Sequence, residues 1–298
     1  LSHKKKALRF DDYLLMMPIF PQERGYILPA RDNIKGIKMK LLAPILLIFS
    51  VSACTSCPRP VIDKQSDERL NELIQQQVIP ARNKPLSEKI AAISASFLGT
   101  PYQADTLIGS ESVPEQLVVN FNGVDCFTLL DYVAALSHAS SRNGFFTQLR
   151  LTRYHQGEVS FSQRKHFFSD WFSLPPLNAR DITDQLNTST IKVTKQLNLK
   201  ADGGHYLPGV PVRQRVIHYI PAKNINNATL EALQTGDYVG FYSPLAGLDV
   251  SHTGIIIKKD QQVWFRNASS LKSNNKVVDM PLLSYIKTRP GIVIARPL

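Results

Sequence analysis

The feature that most constrains this chain is a change of hydrophobic period along it. Residues 86–98, LSEKIAAISASFL, put Ile90, Ile93, Phe97 and Leu98 on one helical face, and Gly99 with Pro101 stops the helix. Residues 126–138, CFTLLDYVAALSH, form the strongest helical segment, with Phe127, Leu130, Val133, Ala134 and Leu136 as its apolar positions. Gly123 and Asp125 stand at its start, and Asp125 is the expected N-cap. From about residue 236 the period shortens to that of strands. Segments 237–242, 252–258, 262–266 and 291–295 are rich in Val, Ile, Tyr and Phe, and 259–261 reads as a hairpin turn. Helices first and an antiparallel sheet afterwards predict an α+β fold, not alternating α/β. At 43% hydrophobic and 20% charged residues, a packed core is expected. Residues 140–235 show no clear period. The cluster 164–171, RKHFFSDW, reads equally well as a groove lining or as a packed surface segment.

The N-terminal part reads as a processing signal. Residues 39–54, MKLLAPILLIFSVSAC, have a short positive start, an apolar run from Leu41 to Val51, and small residues before Cys54. The run is shorter than the roughly 20 residues that span a bilayer. Val51-Ser52-Ala53-Cys54 resembles a bacterial lipobox, which implies cleavage before Cys54 and lipidation of it. Residues 1–38 then read as an upstream over-extension of the reading frame, 39–53 as the signal peptide, 54–84 as a Pro-rich tether, and 85–298 as the functional domain. Cys57 is an incidental exposed thiol on that reading. Net charge is +11, and residues 1–53 hold nine basic and four acidic side chains, leaving about +6 without them. The basic residues are scattered, with Lys4–Lys6 the compact run, so a solvated surface is expected and a nucleic-acid partner is not. Such a surface suits anionic lipid or cell-wall polymer.

Three cysteines are too few for a disulfide scaffold and are read singly. A lone cysteine is more often a buried structural residue than a nucleophile. Cys126, however, opens the strongest helix, where unsatisfied N–H groups and the helix dipole favour a thiolate and can stabilise an oxyanion. Ser251-His252-Thr253-Gly254 precedes the apolar run Ile255–Ile257, which places His252 at a strand start as a base for Cys126. Asn267, on the next predicted strand, can accept the second ring N–H of His252 and fix its tautomer. Cys126, His138, His166, His205, His218 and His252 lack close ligand spacing, so no metal and no cofactor is expected. His138 and His218 read as ordinary polar residues, and His205 as part of a loop bordering the groove.

At this point the chain resembles the NlpC/P60 cysteine peptidases, and within them the DUF1460 branch, the N-acetylmuramoyl-L-alanine amidase-like family. The matching blocks are Leu98–Tyr102, Val124–Thr128, Arg164–Trp171, Thr235–Asp237, Leu248–Gly254 and Asn267–Ser269. The resemblance implies a papain-like NlpC/P60 fold, with the nucleophile at a helix N-terminus packed on an antiparallel sheet. It implies hydrolysis of the muropeptide amide between N-acetylmuramic acid and L-alanine. Cys126 would attack, His252 would be the base, and Asn267 would orient His252. Tyr102, Asp125, Arg164, His166, Asp170 and Trp171 would bind substrate. Arg164 would pair a peptide carboxylate and Trp171 would pack on the sugar. Two positions depart from the pattern: Asn267 replaces a histidine, and Asp131 stands where a glutamate is expected. The alternatives are a D-glutamyl-diaminopimelate endopeptidase of the same fold, an acyltransferase on the same triad, and a non-catalytic wall-binding lipoprotein. A monomer is expected, facing peptidoglycan fragments from the periplasmic side of a bacterial membrane, the outer one, and held there by lipid on Cys54.

Overall fold

The computed structural model describes residues 59–298. The expectations for the reading-frame extension, the signal peptide and Cys54 lie outside the described residues. Among those described, no helix is long and apolar enough to cross a membrane.

The first element among the described residues is β1 (Val61–Ile62), which pairs in parallel with β2 (Val118–Val119). Between them lie α1 (Lys64–Leu73), extended by a π-helical turn over Ile74–Val78, and α2 (Leu86–Ala95). The predicted tether is therefore overturned over most of its length. Leu70, Leu73, Ile74 and Val78 are buried in the main core. The Arg69 guanidinium donates to the carbonyls of Phe121 and Ser96 and to the Thr100 hydroxyl. The Pro-rich, polar composition suggested a linker, but α1 is amphipathic and its apolar stripe completes the domain.

Helix α3 (Cys126–His138) follows, then α4 (Arg142–Arg153). Eleven of the α3 side chains are buried, from Cys126 and then Thr128 through Ser137. A helix covered on all sides must sit centrally, and α3 packs against α2, α4 and the sheet. Its Asp131 is committed to a buried ion pair with Arg153, Oδ2 to Nε at 2.6 Å, and so makes a structural contact within the helical layer.

The second half is an antiparallel sheet. Its strands are β3 (Ala179–Asp181), β4 (Ile191–Leu197), β5 (Arg213–Pro221), β6 (Tyr238–Tyr242), β7 (Val250–Lys259), β8 (Gln262–Ser269), β9 (Lys276–Pro281) and β10 (Gly291–Pro297). The order is β4-β5-β10-β6-β7-β8-β9, with β3 beside β10. Asp260 and Gln261 both take positive φ, 53° and 59°, as a two-residue hairpin turn of the primed type requires. Strand β7 is apolar on both faces because both are covered. Ile255 and Ile257 join the core under α3, while Ile256 joins a second core with Phe241, Phe265 and Ile292. That second core is closed by the short helix Leu282–Ile286, which contributes Leu282, Tyr285 and Ile286. The architecture is α+β, as the change of period predicts.

Candidate active site

Cys126 is the first residue of α3 and is buried. Asp125 caps the helix: its Oδ1 accepts from the amides of Phe127 at 2.9 Å and Thr128 at 2.7 Å, and its own amide donates in return to the Thr128 hydroxyl at 2.9 Å. A capping box of this kind satisfies two of the donors that a helix start leaves open. It also removes them from the set expected to hold an oxyanion, and leaves the Cys126 N–H facing its own thiol. The expected thiolate is overturned as well. Burial pushes the Cys126 thiol up to about 12, and the Asp125 carboxylate pushes the same way. The N–H and hydroxyl of Thr253 oppose this without reversing it. Desolvation outweighs the helix dipole, which offers only a partial charge at the first turn.

His252 and Asn267 come from neighbouring strands and share a sheet face, since the β7–β8 ladder ends at Ile255 opposite Arg266 and continuing its register brings Asn267 to the level of Gly254, two residues from His252. The His252 Nε2 stands 2.9 Å from Asn267 Oδ1, both side chains being buried. An amide oxygen only accepts, so Nε2 carries the proton and Nδ1 presents its lone pair. The Asn267 Nδ2 donates to the Phe265 carbonyl, which fixes the amide's orientation. Gly254 is required here. A Cβ at that position would collide with the Phe265 ring and the Arg266 carbonyl, and that ring packs edge-on to His252 at 5.7 Å. Burial holds the His252 imidazole down at about 4, against the Asn267 hydrogen bond and reinforced by the Arg289 charge. The resting pair is thus a neutral thiol and a neutral imidazole.

Cys126 and His252 line one small cavity of about 100 Å³, together with Thr253, Ser251, His166 and the apolar side chains of Phe167, Leu207 and Leu248. Of the six predicted substrate contacts, His166 reaches this cavity. Tyr102 is tied in beside the helix start by its bridge to Val124, and its phenol is held above its usual range by burial and then by Cys126. The other four are engaged elsewhere. Asp125 is the cap. Arg164 is paired with Glu115, which is itself almost fully buried. Asp170 accepts from the Phe167 amide and pairs with Arg215 at 3.0 Å. Trp171 is fully buried between Phe127 and Tyr238, with ring centroids 5.8 and 5.1 Å away, and cannot pack on a sugar. The segment therefore works as a clamp. The Ser169 amide donates to Asp249, next to the β7 start, and the Arg215 guanidinium donates to the Ser169 carbonyl. Polar and aromatic composition alone could not distinguish a clamp from a binding wall. The pocket residue Leu207 carried no sequence signal of its own, and Leu248 stood in a matching block without a role. Thr253 stood in a matching block without a role.

A thiol at a capped helix start, lining one cavity with a histidine whose tautomer is fixed by an amide, is an arrangement able to perform acyl transfer. Its scaffold is an α+β domain of the amidase type. Residues 92–292 match the AmiA-like family, described as N-acetylmuramoyl-L-alanine amidase-like, and the chain belongs to that family. A Legionella pneumophila protein of the DUF1460 family shares the fold with a TM-score of 0.66 at 23% identity, over 78% of this chain and 96% of that one. A Bacteroides uniformis N-acetylmuramoyl-L-alanine amidase superposes with a TM-score of 0.62 at 25% identity, over 72% of this chain and 99% of that one. No curated protein matches the chain by sequence.

Proposed function

We propose that this chain is a cysteine-dependent hydrolase of the NlpC/P60 type, cutting the amide between N-acetylmuramic acid and L-alanine in muropeptides. The observation that carries the reading is that Cys126 and His252 line one cavity, with Asn267 hydrogen-bonded to His252 behind it, in a member of the amidase-like family. In this mechanism His252 Nδ1 takes the Cys126 proton as sulfur attacks the carbonyl carbon. The C–N bond breaks as the imidazolium returns that proton to the leaving amine. Water, deprotonated by His252, then hydrolyses the thioester. The neutral resting pair means that proton transfer accompanies attack. Asn267 orients the imidazole through Nε2 and supplies no charge to the imidazolium. The proposed site of work is the periplasmic side of the cell envelope.

The test uses the full chain and a defined muropeptide, with products identified by mass. A released peptide beginning with L-alanine is expected. Products ending in D-glutamate would instead assign the D-glutamyl-diaminopimelate endopeptidase. Cys126→Ala should reduce turnover to background while leaving the thermal transition in place; turnover retained in that variant would refute the nucleophile.

A further inference from the structure

Thr253 touches the nucleophile's residue directly. It lies on β7 immediately after His252, is almost fully buried, and its hydroxyl donates to the Cys126 carbonyl at 3.2 Å. That carbonyl lies in the first turn of α3, one residue after the Asp125 carbonyl that accepts the first helical bond from the Leu129 amide, so the contact joins the first turn of the nucleophile's helix to the strand that carries the base. The bond is long for a hydroxyl donor, whose usual distance is about 2.7–2.8 Å. The same hydroxyl and the Thr253 amide also bear on the Cys126 sulfur. One hydroxyl proton therefore has two acceptors on one residue, and which is better depends on whether sulfur is charged. We propose that Thr253 is a positioning residue whose hydroxyl serves the Cys126 carbonyl at rest and turns to sulfur as the thiol proton passes to His252. This rests on Cys126 being the nucleophile. In the step the Sγ–H bond breaks, the proton goes to Nδ1 of His252 and the electron pair stays on sulfur. The Thr253 proton remains on its own oxygen and changes only its acceptor. A hydrogen bond to a charged sulfur is stronger than one to a neutral carbonyl, so the turn is driven by the charge it stabilises. At a site where burial and Asp125 both oppose the thiolate, such a donor counts.

Iodoacetamide alkylation tests this without any muropeptide. The full chain is labelled across a pH series, and modification is read by mass at the Cys126 peptide. Thr253→Val keeps the branched shape and removes the donor; Thr253→Ser keeps the donor. The valine variant should label roughly tenfold more slowly at neutral pH, with the profile displaced to higher pH, as a loss of about 1.4 kcal/mol of thiolate stabilisation requires. Serine should restore the wild-type profile. A wild-type profile in Thr253→Val overturns the proposal, and so does equal impairment in both variants, which would mark a packing role. If the profiles shift as expected but no variant cuts a muropeptide, the substrate reading fails while the role of Thr253 stands. If Cys126 resists labelling at every pH in the wild-type protein, both fall.

Discussion

His166 offers a perturbation whose size follows from its burial. Its ring lines the cavity, packs on Phe161 at 4.9 Å and has Nε2 2.7 Å from the Phe161 carbonyl. Burial pushes its basicity down to about 3, and the charges of Arg164 and Arg213 push the same way against the Phe161 hydrogen bond. In the unfolded chain the ring titrates at its ordinary value of 6.5. Between these values the unfolded state binds the proton and the folded state does not, so stability rises with pH across the window. The contribution is intact above 6.5 and is lost progressively as pH falls towards 3. At pH 4.5, about two pH units below the unfolded value, the loss is about 3 kcal/mol. His166→Gln keeps a donor for the Phe161 carbonyl and removes the titration. Urea unfolding of both proteins at pH 7 and pH 4.5 measures it: the variant should gain about 3 kcal/mol on the wild type between the two conditions. Asp170 titrates in the opposite sense, its carboxyl held up at about 6 by burial; it is common to both proteins and cancels in the comparison. An equal gap at both pH values would show that His166 is solvated and able to carry charge in the folded state.

Removing the acceptor in Asn267→Ala leaves a buried Nε2–H without its partner and frees the tautomer, so kcat should fall about 10- to 100-fold with KM nearly unchanged; unaltered kcat would take Asn267 out of the mechanism. Trp171→Phe should cost about 1–2 kcal/mol in urea unfolding yet leave KM for a muropeptide as it is, since the indole is buried and its N–H has no partner to lose; a raised KM would restore a substrate contact. Deleting the chain up to residue 84 should abolish cooperative unfolding. Four buried side chains, Leu70, Leu73, Ile74 and Val78, contribute about 6–12 kcal/mol at 1.5–3 kcal/mol each, comparable with the whole stability of a domain. A folded truncated protein would return α1 to the status of a linker.

What was legible in the sequence was what local periodicity determines. Helix α3 begins at Cys126 and ends at His138 as its pattern predicts, and Asp125 caps it. The strands β6, β7, β8 and β10 run one to three residues beyond or short of the segments read from their apolar content. The pairing of His252 with Asn267 also followed from order alone, because a two-residue turn places them on adjacent strands. Longer-range partners were not legible. The α1 stripe reads as a polar linker until one knows that Phe121 and Phe97 lie beneath it. The β4–β5 ladder was missed because Lys195 interrupts its apolar alternation, although its ammonium group is buried against the carbonyls of Ser243 and Leu245. The charge state of Cys126 was misjudged for a similar reason: a helix start reveals the dipole, whereas desolvation depends on chain segments far away in sequence.

The clamp has a consequence for recognition. Each charge in the segment 164–171 is consumed inside the protein: Arg164 by Glu115, Lys165 by the carbonyls of Leu151 and Pro176, and Asp170 by Arg215. His166, which does reach the cavity, is held neutral. The cavity beside Cys126 is therefore walled mostly by apolar groups, and the carboxylate in its lining, Asp249, is held by the amides of Ser169 and Val250; such a wall selects by size and shape and rewards a small uncharged substituent next to the cut bond. A carboxylate placed there would lose its hydration without gaining a partner. On the proposed substrate the lactyl and alanyl groups flanking the amide are small and uncharged, whereas the acidic residues of the stem peptide lie further along. Discrimination near the scissile bond then rests on exclusion, and the attraction for an anionic peptide must come from charges outside this wall.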